Sequence, residues 1–444
     1  MNPETDVDIL IRGGTLLTMS EAMEIVHDPV IGIRDGRILF IARPGEPAFP
    51  VRAGETIDAS HSIVMPGLIN CHTHAAMTCF RGIADDLSLM DWLNNYIFPA
   101  EAKHVNREMV HAGSLLAIAE MILSGTTTFS DGYFYESSVA RAALEAGMRA
   151  VTAQGFIDSP GAGKDALPGN VRIAEKFIEK WLRKSPLVIP ALFCHSPYAC
   201  SPETLRSIKE VARQAKVPYI IHLSETRDEV KIIRERHGVS PVMHLEKTGV
   251  LDEATIAVHC VWPDDREIDL LAERGVKVSH NPESNMKLAS GVAPVPDMLR
   301  RGVTVGLGTD GCASNNNLDM FQEMGTAARL HKVRRLDPTV MDAATVVKMA
   351  TREGARVLGL ADQIGSIEPG KCADLILLDT RKPHLTPLYN CYSQLVYAAS
   401  GADVSTVIIN GKIILKERRF LDFDVEDVMN RARKIAAEIG KALP

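Results

Sequence analysis

Hydrophobic and polar positions change rhythm twice along the chain. From Asp8 to Ile41 the apolar residues fall in short β-prone runs, Asp8 to Ile11, Thr15 to Met19, Val30 to Arg34 and Arg37 to Ile41, with Asp35-Gly36 as a tight hairpin turn between the last two. The same texture returns from Ala373 to Leu378, Val404 to Ile409 and Lys412 to Leu415, with Asn410-Gly411 as the turn. Neither end holds enough strands for a stable sandwich, whereas together they do. A small β-sandwich built from both chain ends, with the middle inserted, is therefore expected. Between about Ile63 and Leu360 short apolar runs alternate with helical patterns instead. Strands are expected to end at Cys71, Asp131, Gln154, Cys194, His222, His259, His280 and Asp310. Ser201-Pro202-Glu203-Thr204 reads as a helix start, and Leu205, Ile208, Val211 and Ala212 as that helix's buried face. Val425 to Leu443 is spaced as an amphipathic closing helix. Eight β-α units over about 300 residues predict an α/β fold, a (β/α)8 TIM-like barrel with its chemistry at the C-terminal mouth of the strands. No GxGxxG follows the first strand to support an open doubly wound sheet. The expected division is 1–62 for the first part of the sandwich, 63–365 for the barrel, and 366–444 for the rest of the sandwich and the closing helix.

The expected strand ends carry ionisable residues. Pro66-Gly67-Leu68-Ile69-Asn70-Cys71-His72-Thr73-His74 is a buried-strand pattern ending in His-x-His, and alternation on an extended chain puts both imidazoles on one side. The fifth strand ends in His222-Leu223-Ser224-Glu225, the sixth in His259, the seventh in His280 and the eighth in Thr309-Asp310. A lone histidine after a strand is usually structural. Four such strand ends converging on one barrel mouth, beside His-x-His, are hard to assign to packing. His72, His74 and His222 as nitrogen ligands with Asp310 as the oxygen ligand suit Zn²⁺, with Fe²⁺ the second choice, and leave a place for water. The fourth strand does not end in a lysine that could become a bridging carbamate, so one divalent metal is expected.

Composition narrows the class. At 444 residues, with 46% hydrophobic and 24% charged residues, the chain is long enough for a barrel and a smaller domain and too apolar for disorder. A net charge of −7 without a Lys/Arg-rich run disfavours a nucleic-acid surface. No apolar run reaches the roughly 18 residues of a membrane span, and the acidic start is unlike a secretory signal. A cytoplasmic protein that binds neither nucleic acid nor membrane and forms a homo-oligomer is expected. The eight cysteines lack CxxC pairing, so buried thiols are expected rather than disulfides or a thiolate metal site.

Several segments carry a family resemblance: Pro-Gly-Leu-Ile-Asn-x-His-Thr-His, Ile-His-Leu-Ser-Glu-Thr at 221–226, Val-His-Cys-Val at 258–261, Ser-His-Asn-Pro-x-Ser-Asn at 279–285 and Gly-Thr-Asp-Gly-Cys-Ala-Ser-Asn-Asn at 308–316. Together they resemble the amidohydrolase superfamily, in its deaminase and chlorohydrolase branch. Leu89-Met90-Asp91-Trp92-Leu93, Phe98-Pro99-Ala100-Glu101-Ala102-Lys103 and Cys194-His195-Ser196-Pro197-Tyr198 narrow this to the 5-methylthioadenosine/S-adenosylhomocysteine deaminases. The resemblance implies a metal-dependent hydrolase acting on C–N bonds in cyclic amidines. Its substrates would be 6-aminopurine nucleosides (5-methylthioadenosine, S-adenosylhomocysteine, adenosine), its products the inosine-type nucleoside and ammonia. It also implies that Glu101 binds ribose hydroxyls and that His195 contacts the nucleoside. The alternative is a related amino- or chloro-ring hydrolase of the guanine, pterin or triazine type.

The residues fit that chemistry. Glu225, three positions after His222, is expected to protonate ring N1, His259 to orient water, and Asp310 to take its proton as well as bind metal. Trp92, with Met90 and Leu93, would pack on the 5′ substituent if the loop after the first strand folds over the mouth. In the family, some members that accept S-adenosylhomocysteine carry an arginine after the third strand; Gln154 is expected to hold that place here, with Lys164 as the candidate substitute. A neutral amide gives no charged bidentate contact, which shifts the expectation toward the thioether or plain nucleoside.

Overall fold

A computed structural model describes residues 5–46, 51–158 and 171–441. Eight parallel strands form its centre: β1 (Leu68–Thr73), β2 (Thr126–Tyr133), β3 (Arg149–Phe156), β4 (Val188–Cys194), β5 (Tyr219–Leu223), β6 (Thr255–His259), β7 (Lys277–His280) and β8 (Val305–Leu307). Each pairs with its sequence neighbour, from β1 to β8. The seam between β8 and β1 is closed just past the last strand, where the Asp310 amide donates to the His72 carbonyl at 2.9 Å. Gly308 permits this approach, since a Cβ there would lie 2.8 Å from the His72 nitrogen and 2.7 Å from Ser279 Oγ.

Alternation along the strands decides which side chains enter the barrel. Ile69, Cys71, Val151, Ala153, Ala191, Phe193, Ile220, Ile256 and Val258 form the inner core, while Ala150, Leu192, Ile221 and Ala257 pack outward under the helices. The helix Pro202–Ala215 begins as expected, the Ser201 side chain accepting from the Thr204 amide, and buries Leu205, Ile208 and Ala212.

The chain ends build the second part together. A four-stranded sheet contains Arg37–Ala42, Val30–Arg34, Thr5–Arg12 and Val51–Asp58, and a seven-stranded sheet joins Thr15–Leu17, Ile25–His27 and Ser62–Pro66 to Leu375–Asp379, Val404–Ile409, Lys412–Lys416 and Arg419–Phe420. Leu375–Asp379 runs antiparallel to Ser62–Pro66, so residues about 310 positions apart share one ladder. Ile9, Ile11, Ile31 and Ile33 of one sheet and Leu16, Val64, Leu375, Leu377 and Ile408 of the other make a single core between them. The helix Val425–Gly440 lies against Arg107–Leu123, on the barrel's outer layer. All eight cysteines are buried free thiols. Among the described residues no helix is long and apolar enough to cross a membrane.

Candidate metal centre and nucleoside cavity

The C-terminal ends of β1, β5, β6 and β8 bring six of the expected side chains to one point. His72 Nε2 lies 3.1 Å from His222 Nε2, and both His72 Nε2 and His74 Nε2 lie 3.4 Å from Asp310 Oδ1. His72, His74 and Asp310 form one compact set of ligand atoms, and His72, His222 and His259 another. His259 has φ +73° and Asp310 φ +62°, left-handed conformations that residues other than glycine adopt uncommonly.

The electrostatics suit a cation. Burial pushes the His72 ring down to about 4 and holds His222 well below the ordinary imidazole range, so both are neutral at physiological pH. His74 Nδ1 donates to the Gly132 carbonyl at 2.6 Å, which leaves Nε2 as a bare lone pair. Burial would raise the Asp310 carboxyl, but the facing His72, His74 and His259 rings outweigh it and keep it well below the usual range. Asp310 Oδ2 accepts from Ser284 Oγ and Ser314 Oγ at 2.7 and 2.9 Å, and Oδ1 from the Gly311 amide at 2.8 Å. Three imidazole nitrogens and a carboxylate oxygen thus converge in a buried place where protein donors do not satisfy them all. A divalent ion fits this set, and the set is that of a zinc-type site with an open position.

Beyond the ligands stand residues that sequence reasoning gave no role. His259 Nδ1 pairs with Asn285 Oδ1 at 2.9 Å, which turns Nε2 toward Glu225 Oε2 at 3.7 Å. The Glu229 carboxylate accepts from the Ser224 and Glu225 amides at 2.8 and 2.9 Å and so sets the turn that aims Glu225. Asp131 Oδ1 accepts from Thr73 Oγ1 and the Ala75 amide at 2.7 and 2.6 Å, holding the His-x-His segment from both sides. Ser284 and Asn285 lie within the 279–285 segment and Asp131 was expected at a strand end, which were the advance signals for these. Burial raises the Glu225 carboxyl above its ordinary range, partly opposed by His259.

A cavity opens from this point. His74, His195, His222, Glu225, His259 and Asp310 meet at one end of it, the His195 ring 5.0 Å from that of His222, and Glu101 and Trp92 also line it, so these expected residues share one cavity. Leu89, Leu93, Ile97, Phe98, Phe134, Phe156 and Ile157 make the remaining wall largely apolar. Among the described lining residues there is no lysine or arginine. Gln154 is not in the lining. It alternates with Ala153 and Gly155, is buried outside the barrel wall, and its amide donates to the Gly155 carbonyl at 3.3 Å. Lys164 lies outside the described residues, and Met90 is not among the lining side chains. His280, an expected strand end, also turns outward, with Nε2 3.1 Å from His331 Nε2.

Comparison with known proteins agrees with this geometry. Residues 63–414 match the amidohydrolase family. A protein of Syntrophobacter fumaroxidans named 5-methylthioadenosine/S-adenosylhomocysteine deaminase is 50% identical over 432 residues, 97% of this chain and 98% of its own length. A protein of Methanothermobacter thermautotrophicus named 5′-deoxyadenosine deaminase is 49% identical over 413 residues, covering 92% and 96%. The crystal structure of an adenosine deaminase from Xanthomonas campestris with bound zinc superposes with a TM-score of 0.95 at 38% identity, covering 99% of this chain and all of that one.

Proposed function

The chain belongs to the amidohydrolase family, and from that premise we infer that it is a metal-dependent hydrolytic deaminase of 6-aminopurine nucleosides, yielding the inosine-type nucleoside and ammonia. The observation that carries this reading is the joining of two features at one cavity: the His72, His74, His222 and Asp310 cluster, and the Glu101 and His195 side chains in the lining, His195 with its ring 5.0 Å from that of His222. The relatives' names point to the same reaction class.

His72, His74, His222 and Asp310 would hold the ion, which we take to be Zn²⁺ from the nitrogen-rich donor set and from the zinc in the similar Xanthomonas structure. When bound, a divalent ion acidifies water to a pKa near about 7, which makes a nucleophile available at neutral pH. His259, fixed by Asn285, presents Nε2 to orient the water for attack at C6 of the purine. Asp310 accepts the water's proton. Glu225, kept protonated more readily by its burial, delivers its proton to ring N1 and recovers one from the hydroxyl added at C6, while the proton taken by Asp310 passes to the leaving amino group, so both carboxyls end as they began. The C6–N bond then breaks, ammonia leaves, and a 6-oxo purine remains. Glu101 accepts from the ribose hydroxyls and His195 contacts the nucleoside.

The 5′ end of the nucleoside meets the apolar wall of Trp92, Leu93, Ile97 and Phe156. With no cation among the described lining residues, a homocysteine carboxylate would lose water without a charged partner in return. A methylthio group or a plain 5′-methyl carries no such penalty. The substrate we propose as preferred is therefore 5-methylthioadenosine, 5′-deoxyadenosine or adenosine over S-adenosylhomocysteine. Ammonia release from zinc-loaded protein, compared across these four, tests the reading.

A further inference from the structure

We propose that Tyr133 is a positioning residue for nucleoside recognition, holding Glu101 from the rigid end of β2 so that its carboxylate is aimed and ionised for the ribose hydroxyls. This rests on the reading of Glu101 given above. Tyr133 and Glu101 come from different parts of the barrel mouth: Tyr133 closes β2, and Glu101 sits on the helix Phe98–His104, in the excursion that follows β1. The Tyr133 hydroxyl donates to Glu101 Oε1 at 2.5 Å. Both side chains are about 5% exposed, and both line the cavity.

That bond has two consequences. First, it restricts the carboxylate. A glutamate on a short helix would otherwise sample several rotamers, whereas Tyr133 is itself fixed by its strand and by the neighbouring Phe134 ring, with centroids 5.1 Å apart. With Oε1 occupied by Tyr133, Oε2 and the remaining lone pair of Oε1 are left for the sugar. Second, it opposes burial. Burial raises the Glu101 carboxyl and the Tyr133 hydrogen bond lowers it, the two together leaving it at about 7. Only the ionised carboxylate accepts from both ribose hydroxyls, so removing the phenol's donor raises the proportion that is protonated near neutral pH.

The other charged groups nearby do not replace Tyr133. Asp131 and the Cys79 thiol face Tyr133, and neither can donate to a carboxylate from the position of the phenol. On the helix of Glu101 itself, Lys103 is exposed and His104 interacts with Lys103 and Glu438 rather than with the cavity.

The experiment compares wild type, Tyr133→Phe, Glu101→Gln and the double variant, all as zinc-loaded full chains, on adenosine and 2′,3′-dideoxyadenosine between pH 6 and 9. Phenylalanine keeps the ring, and circular dichroism verifies the fold. In Tyr133→Phe, kcat/KM for adenosine is expected to fall roughly 10- to 100-fold at pH 7, mainly through KM, the size of one charge-assisted hydrogen bond. The loss should shrink toward pH 9, because the carboxyl released from Tyr133 ionises at higher pH, and it should be much smaller for the dideoxy nucleoside. In the Glu101→Gln background, Tyr133→Phe should add little. An equal loss on both nucleosides, or no change in the pH profile, would assign Tyr133 to packing and overturn the proposal. If Glu101→Gln itself leaves the ribo preference intact, it is the reading of Glu101 that fails, a result separable from the first.

Discussion

The two ends of the barrel treat buried charge in opposite ways. At the N-terminal end, Arg149 at the start of β3 donates from Nε and Nη2 to Asp374 at 2.8 and 3.0 Å and from Nη1 to the Pro186 carbonyl at 2.7 Å, and Asp374 also accepts from the Asn410 amide at 2.7 Å. Every polar atom of that pair has a partner inside the protein, and the pair ties barrel to sandwich. At the C-terminal mouth, the Nε2 atoms of His72 and His222 face each other at 3.1 Å, and those of His72 and His74 each lie 3.4 Å from Asp310 Oδ1. Saturated charge at one end joins the two parts of the fold. Unsaturated donor atoms at the other are held open for something the chain does not supply.

If that contrast holds, the largest effect should follow from stripping the divalent ion at the mouth: turnover falls to background and returns on adding Zn²⁺, with metal content followed by elemental analysis. Full turnover in metal-free protein would break the comparison at once. Next in size, Glu225→Gln should lower kcat by at least about 10²-fold with metal content unchanged, since proton transfer by a placed side chain contributes roughly 10² to 10⁴. Glutamine keeps the shape and loses the proton; a near-normal rate would point to Asp310 or His259 instead.

The base of the barrel should answer in the other currency. Arg149→Ala leaves the Asp374 carboxylate buried and unpaired, so unfolding free energy should fall by about 3–5 kcal/mol while kcat, measured well below the melting temperature, stays near wild type. Denaturant melts and kinetics on the same preparation check both halves. A loss of kcat with unchanged stability would mean the two ends are not separable.

How much of this was legible beforehand follows from what each feature depends on. Strand ends expected at Cys194, His259 and His280 are the observed ones, and the others differ by one to three residues, because turns and buried apolar runs are local signals. The pairing of the two chain ends in one sheet followed from counting strands. The eight-residue strand Val51–Asp58 escaped, since Arg52, Gly54 and Glu55 interrupt its apolar pattern and it is held by parallel pairing with Thr5–Arg12. The ligand histidines stood out because metal chemistry restricts residue type. Glu229, Asn285 and Asp131 did not, because their partners are backbone amides and ring nitrogens that meet only in the folded barrel. Gln154 and His280 were singled out by position at strand ends; the side of the barrel wall each faces depends on strand parity, which one sequence does not display.

The smallest expected effect is at the outer cavity. 5-methylthioadenosine, 5′-deoxyadenosine and adenosine should exceed S-adenosylhomocysteine in kcat/KM by roughly tenfold, the value of one charged hydrogen bond that the described wall does not offer. Reversal would direct attention to Lys164, with Lys164→Ala as the deciding variant.

Ammonia release from zinc-reconstituted protein, measured in parallel on 5-methylthioadenosine, adenosine, S-adenosylhomocysteine, guanine and a triazine, tests the central claim most directly. The account predicts turnover of the adenine nucleosides to their 6-oxo products and none above background for guanine or the triazine. A preference for either of the latter would contradict it.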